Sequence, residues 1–259
     1  NDDQTNIQEI LKKFLMDKVD LIFVFPLPAA VRAKAAIQGT NIPVVFAICT
    51  IEGSNLVKSV RQPGGNITGV RNFGPELVAK RLELLLEIAP NTKRVWVTYD
   101  ENYPLGQVAL NLLRLAAKSL GVELVEVPGS SIADVQADLS ARAKAVDIGI
   151  DAMMIMSEPI SAASAYAFIS KFASEHKIPL AGLTNHQVHQ GSLFTFFPSE
   201  YKCGQLAASL VDKILTGTPA GTIPVVTPEA DLRINYKRAK ELGLNVSEGL
   251  LSRASEIIH

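Results

Sequence analysis

His186 and His189 lie three residues apart, a spacing that can offer two imidazoles to one metal ion. They precede a β-rich run, and no cysteine or aspartate stands beside them, so they read as part of a polar loop. His176 and His259 stand alone. Cys49 and Cys203 show no metal-ligand spacing and read as two buried thiols, with an extracytoplasmic disulfide between them left open. Glu158 and Glu200 could share acid–base work only if both faced one cleft with displaced pKa values. No glycine-rich dinucleotide fingerprint follows a strand, and neither a phosphate-binding loop nor a nucleophile elbow is present. Gly64-Gly65 precede a strand and read as a turn. The expectation is a protein with no catalytic residue, no metal site and no cofactor, that is, not an enzyme.

The residues suited to recognition stand just after short apolar runs. Pro26, Leu27 and Pro28 follow 21–25, Thr50 and Ile51 follow 43–48, and Asn72 and Phe73 follow 66–70. Further on, Asn102 and Tyr103 follow 94–99, Ser157 and Glu158 follow 152–156, and Asn185 and His186 follow 179–183. Phe197 closes the run 192–197. Arg71, Glu52 and Asp100 stand among them. This mixture of aromatic, amide and charged groups suits a small-molecule site, and in open parallel sheets ligands bind outside the carboxyl ends of the strands. These fourteen strand-end residues are the candidate ligand contacts.

The elements that must position them alternate. Strand-like runs are separated by helical patterns at 28–38, 54–60, 76–88, 105–120, 132–145, 161–176 and 204–215, several stopped by glycine. In 76–88 the apolar positions 77, 78, 82, 84, 85 and 88 follow a helical period. Continuous apolar strands alternating with helices mean parallel sheets covered on both faces. The fold class is α/β, with two doubly wound, Rossmann-like lobes joined by a hinge. The expected first lobe is 1–71 with 192–220, and the second is 72–191 with 221–259.

Composition permits this and excludes other classes. Apolar residues make up 47% of the 259 and charged residues 20%, enough for a sizeable core. A formal net charge of −1 argues against a nucleic-acid partner, which demands a basic patch. The longest apolar run, 21–31, is interrupted by Pro26 and Pro28 and falls short of a membrane span. Asn66-Ile67-Thr68 and Asn245-Val246-Ser247 match the N-glycosylation pattern, which at these places reads as chance.

LVKSVRQPGGNITGV at 56–70 closely resembles a signature of the ABC transporter substrate-binding proteins of the tryptophan/tyrosine type. IPVVF at 42–46, KRLELLLEIAPNTKRVWVTYD at 80–100 and the segment 214–244 agree with that family in order and spacing. The resemblance implies a type I periplasmic-binding-protein fold with three hinge crossings. It implies an extracytoplasmic protein, periplasmic or extracellular. Such a protein closes around a small molecule between its lobes and delivers it to an ABC permease. An amino acid or another small solute, aromatic ones included, is the expected ligand, and a monomer the expected state. A ligand-sensing domain of a larger receptor, or an enzyme on a doubly wound fold, remains the alternative.

This chain departs from the family pattern at the ligand. Two second-lobe loops that often offer Asp read Ser157-Glu158 and Thr184-Asn185. A buried ammonium needs a counter-charge, and Glu158 is left to supply it. Phe25, Phe73, Tyr103 and Phe197 suggest partly aromatic walls. At the start, Thr5 or Asn6 reads as a helix cap before the strand at 21–25. That strand would expose an apolar edge unless further strands precede Asn1. N-terminal residues are therefore expected to be missing, with room among them for a signal or lipid anchor.

Overall fold

The computed structural model describes residues 4–72 and 77–259. The chain divides into two units, Asn1–Phe73 with Pro198–Glu229 and Gly74–Phe197 with Ala230–His259.

The first unit contains α1 (Gln4–Met16), β1 (Ile22–Val24), α2 (Leu27–Ala36), β2 (Val44–Cys49) and β3 (Ile67–Arg71). The second unit opens with α3 (Leu77–Ile88), β4 (Arg94–Tyr99), α4 (Pro104–Leu120), β5 (Glu123–Pro128), α5 (Ile132–Lys144) and β6 (Ala152–Met154). A π-helical turn (Ile160–Ser164), α6 (Tyr166–Glu175), β7 (Leu180–Ala181), a 3-10 turn (Asn185–Val188) and β8 (Phe194–Pro198) follow. The chain returns to the first unit for α7 (Glu200–Leu215) and a 3-10 turn (Ala220–Thr222). It ends in the second with β9 (Ala230–Asn235), α8 (Tyr236–Glu241), α9 (Glu248–Leu251) and β10 (Glu256–Ile258).

Two separate sheets result. The first is parallel, in the order β1-β2-β3, and the second runs β10-β9-β8-β7-β6-β4-β5. Side chains alternate across a strand, so each sheet feeds two cores. In the second unit Val95, Val97, Met154 and Phe194 face a core shared with α3, α4 and the C-terminal segment. Trp96, Met153, Ile155 and Phe197 face another, shared with α5 and α6. In the first unit Ile22, Val44, Phe46 and Ile67 pack with α1 and α2, while Val45, Ala47 and Val70 pack with α7. This two-faced cover is what the continuous apolar runs require. The helix caps are local: Gly121 adopts the left-handed conformation that ends α4, and Ser131 and Ser199 cap α5 and α7 by accepting from Asp134 N and Lys202 N.

Several expectations change. The unit boundary falls after residue 197 rather than 191. The reason is pairing: Leu193 N donates to Leu180 O and Gly182 N to Phe194 O, so β8 extends the second sheet. The return to the second unit falls after 229 rather than 220, because Val225 N bonds Val60 O and Val226 N bonds Gly69 O. No helix forms at 54–60. Ser54 Oγ instead donates to Ile51 O and accepts from Leu56 N, and Asn55 takes a positive φ of 54°; such side-chain bonds compete with helix. The first helix begins at Gln4, so Thr5 and Asn6 lie inside it rather than capping it. β1 pairs with β2 alone among the described strands, and Phe23 and Phe25 beside it are exposed.

Candidate functional site

Each sheet presents its carboxyl edge as a row of loops. In the first unit, Pro26 and Pro28 are exposed and open α2, while Leu27 and Ile51 pack on the α1/α2 core and so act as packing groups. β2 carries a bulge between Phe46 and Cys49, with Ile48 at a φ of 53°. A β-branched residue in that region is a genuine outlier, and bulges re-aim the residues beyond them. Here the bulge brings Cys49 level with Arg71, and Thr50 Oγ1 donates to Asn72 Oδ1 at 2.6 Å. Asn72 N donates to Cys49 O at 3.1 Å. Arg71 completes the edge by pairing with Glu52 and donating from Nε to Thr227 Oγ1 at 2.9 Å. Phe73 lies outside the described residues.

In the second unit, β4, β6 and β7 are neighbours in that order, so their loops lie side by side. Glu158 is 3% exposed. Its carboxylate accepts from Ile160 N at 2.7 Å and from Ser161 N at 2.5 Å, capping the π-helical turn. Burial raises its pKa above the usual carboxylate range despite those bonds and the Ser161 hydroxyl, and the charge of Asp100 adds to the rise. Tyr103 is half-buried, and burial first and the Glu158 charge second raise its pKa. Glu158, Tyr103 and Asp100 therefore form one electrostatic group at the ends of β4 and β6. Asn102 is exposed; its N donates to Asp100 Oδ1 at 2.9 Å and its Nδ2 to Ser130 Oγ at 3.3 Å. Ser157 is half-buried beside Glu158.

Behind β7, Asn185 is buried, while His186 is exposed with its ring 3.2 Å from Thr184 Oγ1. Gln187 ties this loop to its neighbour: its Oε1 accepts from Leu183 N at 2.6 Å and its Nε2 donates to Ala162 O at 2.8 Å, inside the turn that Glu158 caps. Phe197 is 5% exposed and packs in the α5/α6 core, because alternation along β8 points it inward. It is a packing residue rather than a wall of the site.

The groups set aside in the sequence find other roles. His189 pairs with Glu256, which also binds Arg233, so the two histidines are not joined on one centre. Among the described residues no group of three or more His, Cys, Asp or Glu side chains could hold a metal ion. Cys49 and Cys203 are not joined by a disulfide; they are buried thiols on opposite faces of the three-stranded sheet, and burial pushes the Cys49 thiol up to about 12. A groove of about 760 Å³ in the second unit, lined by Tyr166, His189, Lys237 and Arg238 among others, contains none of the candidate contacts.

Sequence reasoning missed Arg81. It placed Gln187 in the loop after 179–183 but did not give its role, which depends on two separate loops. Arg81 did give a signal: it stands three residues after Val78 and four before Leu85, on the buried stripe of α3, where a charged residue calls for an explanation.

Comparison with known proteins supplies a frame for this edge. The chain matches the family described as ABC transporter substrate binding protein over residues 1–258. A tyrosine-binding protein of Clostridioides difficile (strain R20291) is 30% identical over 248 residues, covering 93% of this chain and 68% of the relative. A conserved domain protein of Vibrio cholerae superposes with a TM-score of 0.80 at 29% identity, over 98% of this chain and 83% of the other. The ABC domain of Streptococcus pneumonia in complex with L-Trp superposes with a TM-score of 0.81 at 24% identity, over 99% and 86%, a likeness of fold. The architecture is that of the type I periplasmic-binding proteins.

Proposed function

The chain belongs to the family of ABC transporter substrate binding proteins, and from that premise we propose that its ligand is an aromatic L-amino acid of the tyrosine class. Proteins of this family are extracytoplasmic, bind small molecules and hand them to an ABC permease. They work by binding rather than by catalysis. The ligand assignment is supported by the 30% identical relative named for tyrosine binding and, above all, by Glu158.

Glu158 carries the reading. It is a carboxylate 3% exposed at the carboxyl end of β6, with no basic side chain bonded to it among the described residues. Two backbone N–H groups orient it, yet burial still raises its pKa. A buried anion in this state gains from a cation that arrives with the ligand, because an ammonium brought within hydrogen-bonding range favours the ionised form. Tyr103, close enough to feel that charge, offers a half-buried aromatic ring with a polar tip. In the first unit Thr50 Oγ1 donates to Asn72 Oδ1 at the carboxyl edge of that unit's own sheet, which leaves the Asn72 amide as a neutral donor there. The chain acts in this role as a monomer and without nucleic acid.

Isothermal titration with L-tyrosine, L-tryptophan and L-phenylalanine tests the reading, with 3-(4-hydroxyphenyl)propionate as the analogue that lacks the ammonium. The amino acids should bind and the des-amino acid should not. Equal binding of the des-amino acid, or binding of none of the amino acids, would overturn it.

A further inference from the structure

We propose that Arg81 is a positioning residue of the binding edge, a buried fork that sets the spacing of the loop carrying Ser157 and Glu158 and the loop carrying Thr184, Asn185 and His186. The proposal deepens the function above in that these loops are the ones taken to meet the ligand.

Arg81 is 1% exposed, in the second turn of α3. Its Nη2 donates to Ile155 O at 2.6 Å and to Gly182 O at 2.9 Å. Those carbonyls belong to the residues directly after β6 and β7, whose N–H groups still donate to Ala181 O and Phe194 O while their carbonyls leave the ladder. Neither carbonyl takes a backbone donor among the described residues. Buried carbonyls need partners, and Arg81 supplies both from one nitrogen. Ile155 stands three residues before Glu158, and Gly182 three before Asn185.

Gly182 is held from its other side as well. A Cβ there would lie 2.5 Å from Ser192 Oγ and 2.9 Å from the Thr195 methyl, and Gly182 N donates to Phe194 O at 2.9 Å. The carbonyl of residue 182 is thus pinned between β8 and Arg81, and the loop after it starts from a fixed point.

The charge makes a purely space-filling role a poor account. No carboxylate pairs with Arg81 among the described residues, its Nε has no partner, and burial pulls its pKa down to about 9. Burying a lone cation is costly, and apolar side chains fill such space better. What a guanidinium has that they lack is a rigid array of donors able to reach two strand ends at once.

Hydrogen–deuterium exchange on the ligand-free chain tests this, comparing wild type, Arg81→Met, Arg81→Lys and Leu113→Ala. The last removes buried volume from α4 away from both loops and controls for lost stability. In Arg81→Met, exchange of the amides at 156–161 and 183–188 should rise more than tenfold above the Leu113→Ala level, with the remaining sheet amides matching that control. Arg81→Lys should restore part of the protection. A uniform rise across the second unit, or unmoved loops, overturns the proposal. Should Arg81→Met fail to fold, Arg81→Lys decides: its ammonium ends one bond short of the Nη2 position that meets both carbonyls, so wild-type protection of both loops overturns it. Titration with L-tyrosine on the same proteins should show at least a tenfold weaker Kd in Arg81→Met and an unchanged one in Leu113→Ala; wild-type affinity in Arg81→Met overturns the proposal. Failure of wild type to bind L-tyrosine removes the ligand reading, while the exchange data still decide the role of Arg81.

Discussion

Replacing Glu158 by Gln removes one negative charge with almost no change of shape. Two effects oppose each other. The amide keeps one oxygen for Ile160 N or Ser161 N but turns an NH2 toward the other, which forfeits one hydrogen bond. Against this, the neutral group no longer pays for desolvating a charge. The raised pKa of Glu158 says which wins: the surroundings, N–H bonds included, disfavour the anion relative to water, burial being the main cause. Gln mimics the neutral acid, so Glu158→Gln should leave the melting temperature of the ligand-free chain at pH 7 unchanged or higher. Glu158→Ala, by contrast, orphans both N–H groups and should lose about 1–3 kcal/mol. Ligand binding should respond in the opposite sense. Losing a hydrogen bond to a charged group costs about 1.5–3 kcal/mol, which corresponds to a Kd for L-tyrosine roughly 10 to 150 times weaker. The pH sign follows. A carboxyl whose folded pKa is raised adds stability that is full below its ordinary value and is lost as pH rises through the folded value. Binding of an ammonium needs the anion, so affinity should fall as pH drops through the raised value, at up to about tenfold per pH unit. The Gln variant should lack that dependence. Calorimetric titration and thermal melts of the three proteins at several pH values provide the assay. A Gln variant that binds within twofold of wild type, or that melts as low as the Ala variant, refutes the reasoning.

Gly69→Ala would place a Cβ 2.2 Å from Phe46 O and 2.5 Å from the Phe46 ring, so the first unit should lose about 1–3 kcal/mol, seen as a drop of roughly 4–24 °C in its melting transition. Asp138→Ala strips the partner from Trp96 Nε1, a bond of 2.8 Å, and leaves a buried indole donor unmet. It should cost about 1–3 kcal/mol, read from the urea midpoint by the fluorescence of Trp96, the chain's single tryptophan. Both thiols are buried, so a thiol reagent should react slowly with the native protein and titrate two groups once it is unfolded.

Much of the architecture was legible because its causes are local. The runs VVFAI and RVWVTY are apolar on consecutive residues, which marks strands buried on both faces, and they are β2 and β4. Pro at the start of α2 and α4 and Gly121 at the end of α4 act within one turn of helix. Placing candidate contacts at strand ends also follows from local order, and Thr50, Asn72, Tyr103 and Glu158 do stand just past β2, β3, β4 and β6. Segment 54–60 misled because Ser54 and Asn55 bond to the nearby backbone, a competition that helical spacing does not register. Ile51 and Phe197 were read as wall residues because a strand end does not reveal which face a side chain takes.

The sequence by itself determined the α/β class, the parallel strands and the row of strand-end loops on which recognition is proposed to sit, since those depend on neighbours a few residues apart. Tertiary structure alone decided the state of the groups in those loops. Glu158 is perturbed first by its burial and then by the charge of Asp100, more than fifty residues earlier, and its own charge in turn acts on Tyr103. Arg81 matters because residues 155 and 182 come within hydrogen-bonding distance of it. Burial and charge depend on distance in space, and distance along the chain does not carry that information.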